Sequence, residues 1–369
     1  MTAGGALTLV TGFPRQLARL ITVELLAKGE RVALLARPRH LDEARRFVSE
    51  LSPEGAAEVV EGDVTSIDLG LSGAEYLALA ERVAAVHHAA VATPDASDPR
   101  LAAHLNEQGA REVLLFARER RGAPPRLVYY GSVASAAGVR DRVPAAPLLG
   151  EATPRDPVAA SLRRAESLLA RAWDDVPSTL LRVATVVGHS ETGEVDLLDG
   201  LYLLVLLMMS APREIAVPLP LRETATLNVV PVDHVARVGV ALAASPQAAG
   251  RVLHVVDPAP LSARRALELL SETVVRRAPR GMVPVNITRA LLRTPGMDRL
   301  VKSPRAFAER FAGRAHYEGD LAAALGAAAP RCPPFESYVD ALVDHVRDRL
   351  ARSPVVGDAV AEVDDDPLY

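Results

Sequence analysis

Through the first 190 residues, short apolar runs alternate with helix-patterned stretches, and that alternation leaves few folds open to the chain. Ala6–Val10, Arg31–Ala36, Ala57–Glu61, Ala84–His88, Arg126–Tyr130 and Ser178–Val187 read as strands, with helices over Arg15–Lys28 and Asn106–Arg118. Strands that bury both faces are apolar along their whole length and are joined by crossover helices, so the expectation is α/β: a doubly wound, mostly parallel sheet. This domain is expected to span 1–190, with the strand at 251–257 rejoining it. A smaller, mainly helical C-terminal lobe should occupy 191–350, broken by Pro279, Pro284, Pro295 and Pro304. The acidic segment 351–369, with Asp364–Asp366, has little to bury and is expected to be a mobile tail.

Composition excludes several function classes. A net charge of −4 gives no electrostatic basis for nucleic-acid binding. The single cysteine, Cys332, rules out an internal disulfide and a cysteine-based metal cluster, and no metal site is expected. The longest apolar run, Leu201–Met209, is far short of the roughly 20 residues that span a bilayer. The first residues lack the pattern of a signal peptide, so a cytoplasmic location is expected. Leu201–Met209 reads first as a buried helix and second as the mouth of a groove for an acyl chain, where Met208 and Met209 would adapt to a flexible ligand.

The segment Thr8–Ala18 joins the first strand to the first helix as Thr-Leu-Val-Thr-Gly-Phe-Pro-Arg-Gln-Leu-Ala. In a dinucleotide fold, this turn presents main-chain N–H groups to the pyrophosphate at a helix N-terminus. Glycine is wanted at positions 12, 15 and 18, and only Gly12 is glycine. Ala18 still permits close helix packing, whereas Arg15 fills space where backbone should approach phosphate, so its side chain either folds outward to pair with phosphate or obstructs the site. Arg37, closing the second strand, suits the 2′-phosphate of NADP(H), and Arg39 reads as a surface residue. Asp63 reads equally as an acceptor for an adenine amino group or as a turn cap. The expected fold is of the Rossmann type.

Taken together these segments resemble the extended short-chain dehydrogenase/reductases. More narrowly they resemble the thioester-reductase and fatty-acyl-reductase branch, the "male sterility" type of NAD-binding domain. The residues that carry the resemblance are Thr11–Pro14, Gly62–Val64, His87–Ala90, Asn106–Gly109, Leu181–Gly193, Asn228–Ala236, His254–Pro258 and Cys332–Phe335. It implies cofactor contacts from Thr11, Gly12, Phe13, Pro14, Arg15, Gln16, Leu17, Arg37, Asp63, Val64, His88, Ala89, Ala90 and Asn106.

The family resembled here uses a Ser/Thr–Tyr–Lys set, in which tyrosine protonates the developing alkoxide and lysine, one helical turn later, lowers its pKa. None of the seven tyrosines stands four residues ahead of Lys28 or Lys302, the only lysines. Placed through Ala165-Glu166 and Gly138, the set falls on Val133, Val158 and Leu162, all apolar. Val158, Leu162, Ala165 and Leu169 instead form an i, i+4, i+7, i+11 stripe, the pattern of a core-facing helix. Losing one general acid removes typically about 10²–10⁴-fold of rate, and losing the whole set leaves only positioning. His88 is the best stand-in acid, although a hydrogen-bonded structural role is the preferred reading for a histidine closing a strand.

The sequence admits three functional readings. The chain is a catalytically degenerate NADP(H) binder acting as sensor, scaffold or partner subunit. Alternatively, it is a working NADPH-dependent reductase of acyl thioesters or aldehydes using unconventional groups, or a structural module that binds no nucleotide.

Overall fold

The computed structural model describes residues 7–52, 55–94, 96, 98–139, 142–198, 201–210, 225–275, 316–318 and 321–352. Pro279, Pro284, Pro295 and Pro304, and residues 353–369 of the acidic segment, lie outside these residues, whereas Ala351 and Arg352, expected in the tail, end the last described helix.

The main sheet has seven parallel strands: β1 (Leu7–Thr11), β2 (Arg31–Ala36), β3 (Ala57–Glu61), β4 (Val83–His88), β5 (Arg126–Ser132), β7 (Thr179–Val183) and β10 (Arg251–Val255). A short pair, β6 (Arg142–Val143) and β11 (His316–Tyr317), stands apart. The main order is β10-β7-β5-β4-β1-β2-β3, so the chain steps outward from β1 in one direction and then returns to its other side at β4. That reversal makes the gap between the carboxyl ends of β1 and β4 the topological switch point, where ligands sit in such sheets. All five side chains of β1 are buried, as a doubly covered strand requires.

One face is covered by α3 (Gly73–Arg82), α4 (Pro99–Glu119) and α5 (Pro157–Ala170), which bring Leu79, Leu105, Phe116, Val158 and Leu169 into one cluster. The other face is covered by α1 (Gln16–Ala27), α2 (Leu41–Leu51) and α7 (Val232–Ala244), with Ile21, Val48, Val235 and Leu242 in its cluster. α4 starts seven residues earlier than its apolar pattern suggests. Asp98 accepts the Arg100 and Leu101 amides at 2.8 and 3.1 Å, and Pro99 begins the first turn.

The apolar run Ser178–Val187 is not one strand. The chain leaves the main sheet at Ala184, and β8 (Thr185–Val187) pairs instead with β9 (Val229–Pro231). Beyond this step, α6 (Leu201–Ser210), α8 (Ala263–Val275) and α10 (Val339–Arg352), which follows the one-turn α9 (Ala322–Leu325), pack around Leu201, Tyr202, Val205, Leu270, Phe335 and Val343. Met208 is buried in the same cluster, so α6 spends its described apolar side chains on packing. No described helix is long and apolar enough to cross a membrane.

Candidate functional site

β1 ends at Thr11, and Gly12 turns the chain with φ +101°. A methyl group there would lie 2.7 Å from the Ala89 carbonyl carbon and 2.9 Å from the Ala90 nitrogen. Only glycine lets the turn sit this close to the end of β4. Phe13 is buried against Phe47, ring centroids 5.7 Å apart, and the Arg19 guanidinium lies over both rings. Arg19 also donates to the Pro14 carbonyl at 2.8 Å and pairs with Glu43, while the Arg15 amide donates to the Gly12 carbonyl at 3.0 Å. Leu17 packs on the cluster beneath α1, and Ala18, fully buried, gives the close helix–strand packing that the third fingerprint position needs.

The first turn of α1 contains no acidic residue, and the Arg15 side chain makes no capping bond. The helix is capped from far along the chain instead. The Gln16 amide donates to Asp196 Oδ2 at 2.5 Å, and the Gln16 side chain donates to the Glu194 carbonyl at 2.9 Å. Sequence reasoning misses Asp196 and Glu194, and no local pattern marks them, because the partner is a main-chain amide 180 residues away.

At the end of β2, Arg37 Nε lies 3.0 Å from Asp63 Oδ2. Asp63 Oδ1 in turn accepts the Thr65 amide at 2.8 Å and the Thr65 hydroxyl at 2.7 Å. Asp63 therefore caps its own turn while holding Arg37 beyond the carboxyl end of β2. Val64 is buried beside it, and Arg39 is exposed, donating to the ring of His40 at 3.0 Å.

His88 closes β4 with 1% of its surface exposed, and its Nδ1 lies 2.9 Å from Thr11 Oγ1. Gly109 of α4 makes room for the ring: a methyl there would lie 3.3 Å from His88 Cε1 and 3.4 Å from Val64 Cγ2. Burial lowers the His88 pKa to about 3, and burial, with Lys28 adding to it, does the same at His87. A ring held neutral in this way cannot deliver a proton near neutrality. Asn106 is fully buried and spends its amide on the main chain beyond Ala89 and Ala90, accepting from the Ala92 amide at 2.8 Å. It donates to the Ala92 carbonyl at 3.0 Å and to Ser161 Oγ at 2.9 Å.

Two buried neutral histidines fix the sign of the pH response. The unfolded chain binds protons below about pH 6.5, whereas the folded rings resist them down to about 3. Stability from this source is complete above pH 6.5 and falls as the pH drops, by up to about 1.4 kcal/mol per pH unit for each ring. Urea unfolding at pH 7.5 and 5.5 is expected to show the loss, and an unchanged midpoint would contradict it.

α5 begins at Asp156, whose carboxylate accepts the Val158 and Ala159 amides at 2.9 and 2.8 Å. Val158 and Leu162 are each 1% exposed, so the two positions aligned with tyrosine and lysine are sealed as well as apolar. Val133 follows Ser132, whose hydroxyl accepts the Ala134 amide at 3.2 Å and caps the short turn after β5. Among the described residues the only lysine is Lys28, about 18 Å along α1 from its first turn. Tyr129 and Tyr130, the tyrosines of β5, are both buried. One turn beyond Leu162, α5 carries a sealed ion pair: Arg182 Nε donates to Glu166 Oε2 at 2.9 Å, with side-chain exposures of 0% and 4%. Among the described residues no group of three or more His, Cys, Asp or Glu side chains could hold a metal ion.

Solved structures share this architecture. The terminal R domain of the myxalamid PKS-NRPS biosynthetic pathway is 23% identical, with a TM-score of 0.77, covering 97% of this chain and 93% of that one. The reductase domain of a nonribosomal peptide synthetase from Mycobacterium tuberculosis is 19% identical at TM-score 0.67, covering 94% and 92%. A yeast methylglyoxal/isovaleraldehyde reductase complexed with NADPH is 17% identical at TM-score 0.63, covering 94% and 99%. No curated relative matches the sequence. Residues 7–239 match the family model described as male sterility protein, an NAD-binding domain. With its parallel sheet and its glycine turn at the switch point, the chain belongs to that family of extended short-chain dehydrogenase/reductases.

Proposed function

We propose that this protein binds NADP(H) at the β1–β4 switch point and acts as a nucleotide sensor, scaffold or partner subunit whose reductase chemistry has been lost. The observation that carries this reading is the pair Val158 and Leu162, apolar and 1% exposed where tyrosine and lysine would stand. The residues suited to the cofactor lie at its adenosine end: Arg37 for a 2′-phosphate, and Asp63 and Val64 for the adenine edge. The diphosphate would take the main-chain amides of Arg15, Gln16 and Leu17, where helix α1 begins.

When bound, nicotinamide supplies a hydride, and a carbonyl that accepts it also needs a proton. His88 is a poor donor, since its ring is neutral and tied to Thr11. Acyl thioesters or aldehydes therefore remain candidates for binding rather than for turnover, and the active-reductase reading gains nothing from this geometry.

Titration of the full chain with NADPH and NADH, followed by nicotinamide fluorescence, tests the proposal. NADPH is expected to bind more tightly than NADH. Arg37→Ala should weaken NADPH by about tenfold or more, as loss of a charged hydrogen bond implies, and leave NADH nearly unchanged. No oxidation of NADPH is expected with medium- or long-chain acyl-CoA. Failure to bind NADPH at millimolar concentration would overturn the reading, as would robust turnover.

A further inference from the structure

The capping of α1 bears directly on regulation of the site, provided that the site binds a nucleotide as proposed. In a dinucleotide fold the first amides of this helix are the donors for the pyrophosphate, which carries about two negative charges. In this chain the Gln16 amide is already satisfied by the carboxylate of Asp196 at 2.5 Å. A carboxylate is favoured there by the same helix dipole and the same donors that favour phosphate. Burial pushes the Asp196 carboxyl above the ordinary carboxylate range, and the Gln16 amide, Arg15 and Arg19 offset part of that by favouring its charged form.

The contact is no accident of a loose loop. Gly188 donates its amide to the Tyr202 hydroxyl at 2.6 Å, and Ser190 donates amide and hydroxyl to Asp233 at 2.9 and 2.8 Å. Gly193, at φ +70°, lies so close to α10 that a methyl group would fall 2.0 Å from the Ala341 carbonyl oxygen. Arg349 of α10 reaches the carbonyls of Val195 and Asp196 at 3.5 and 3.4 Å. The segment 188–196 is thus clamped to the C-terminal lobe on one side and to the nucleotide turn on the other.

We infer that Asp196 is an internal occupant of the pyrophosphate position, so that the cofactor binds only by displacing segment 189–196 and, with it, the seat of helix α10. Phosphate and carboxylate cannot share the Gln16 amide, and their like charges would repel at that separation. Nucleotide binding at the turn then loosens the C-terminal lobe that the same segment seats. That movement is an output a sensor or partner subunit can use without chemistry.

The test compares the full-length protein with Asp196→Ala and with Asp196→Asn, which keeps the shape and an acceptor but drops the charge. ADP, adenosine and NADPH are titrated into each by calorimetry. Asp196→Ala is expected to tighten ADP and NADPH by about tenfold or more, the scale of a lost charged competitor, and to leave adenosine within about twofold. Asp196→Asn should give a smaller gain in the same direction. Hydrogen exchange supplies a second readout: saturating NADPH should speed exchange in residues 189–196 and along α10 of the unsubstituted protein. Equal ADP affinity in all three proteins would reduce Asp196 to a helix cap and overturn the inference while leaving the nucleotide reading intact. Added protection of 189–196 on NADPH binding would overturn it too. If neither the unsubstituted protein nor Asp196→Ala binds NADPH or ADP, both the inference and the reading beneath it fall.

Discussion

Val158→Tyr combined with Leu162→Lys is expected to raise NADPH oxidation with an acyl thioester at least about 10²-fold above that of the unsubstituted protein. The lower bound is the typical contribution of a single positioned acid, and the lysine adds to it by stabilising the phenolate. The helix that must carry the pair is already in place, because Asp156 starts α5 two residues before Val158. The substitution has a cost. Both positions are 1% exposed, and an ammonium buried at residue 162 without a partner is destabilising. Saturating NADPH should recover part of that loss, since a ligand that binds only the native state shifts the folding equilibrium. Single substitutions should give little rate, because each member works through the other. A double variant that folds and binds NADPH yet shows no turnover would place the deficit beyond the dyad, with Val133 the next position to restore as serine.

Glu166→Ala should cost the fold about 3–5 kcal/mol, a large share of the stability of most domains. The magnitude comes from what is left behind. Arg182 is 0% exposed, and besides its pairing with Glu166 it donates to the Pro144 and Ala146 carbonyls at 2.8 Å each. Ser135 donates to the same carboxylate at 2.9 Å. Without Glu166, a full charge remains buried among neutral acceptors. Replacing both partners, Glu166→Leu with Arg182→Met, should cost markedly less than the single change, because no charge is then stranded. Urea unfolding of the three variants checks this, and additive losses would contradict it. The network also ties Ser135, Pro144 and Ala146 to α5 and β7, so its loss should loosen those residues beyond the carboxyl end of β5.

Much of the sheet is legible in the sequence because its strands are buried on both faces and read as largely apolar runs, as Val32–Ala36 does. The same continuity hides the break at Ala184, since nothing local tells β7 from β8 and the partner of β8 lies about 40 residues further on. The start of α4 is obscured because its first turn buries only Ala102 and leaves Leu101 exposed, although Asp98-Pro99 is a capping signal in its own right. Positions 158 and 162 can be placed because Ala165-Glu166 comes after them at fixed spacing. Glu166 serves there only as a landmark, and its pairing with Arg182 joins residues from separate elements. Asp196 is invisible for a similar reason: an acceptor for a distant main-chain amide leaves no pattern along the chain.

The order in which the ribosome releases the chain gives the Gln16–Asp196 contact one more meaning. At roughly 5–20 residues per second, the 180 residues between them take on the order of 10–35 seconds to synthesise. Helix α10, which clamps the capping segment, emerges later still. The nascent N-terminal half must therefore wait with its first helix uncapped, and during that interval a passing anion meets no internal rival for those amides.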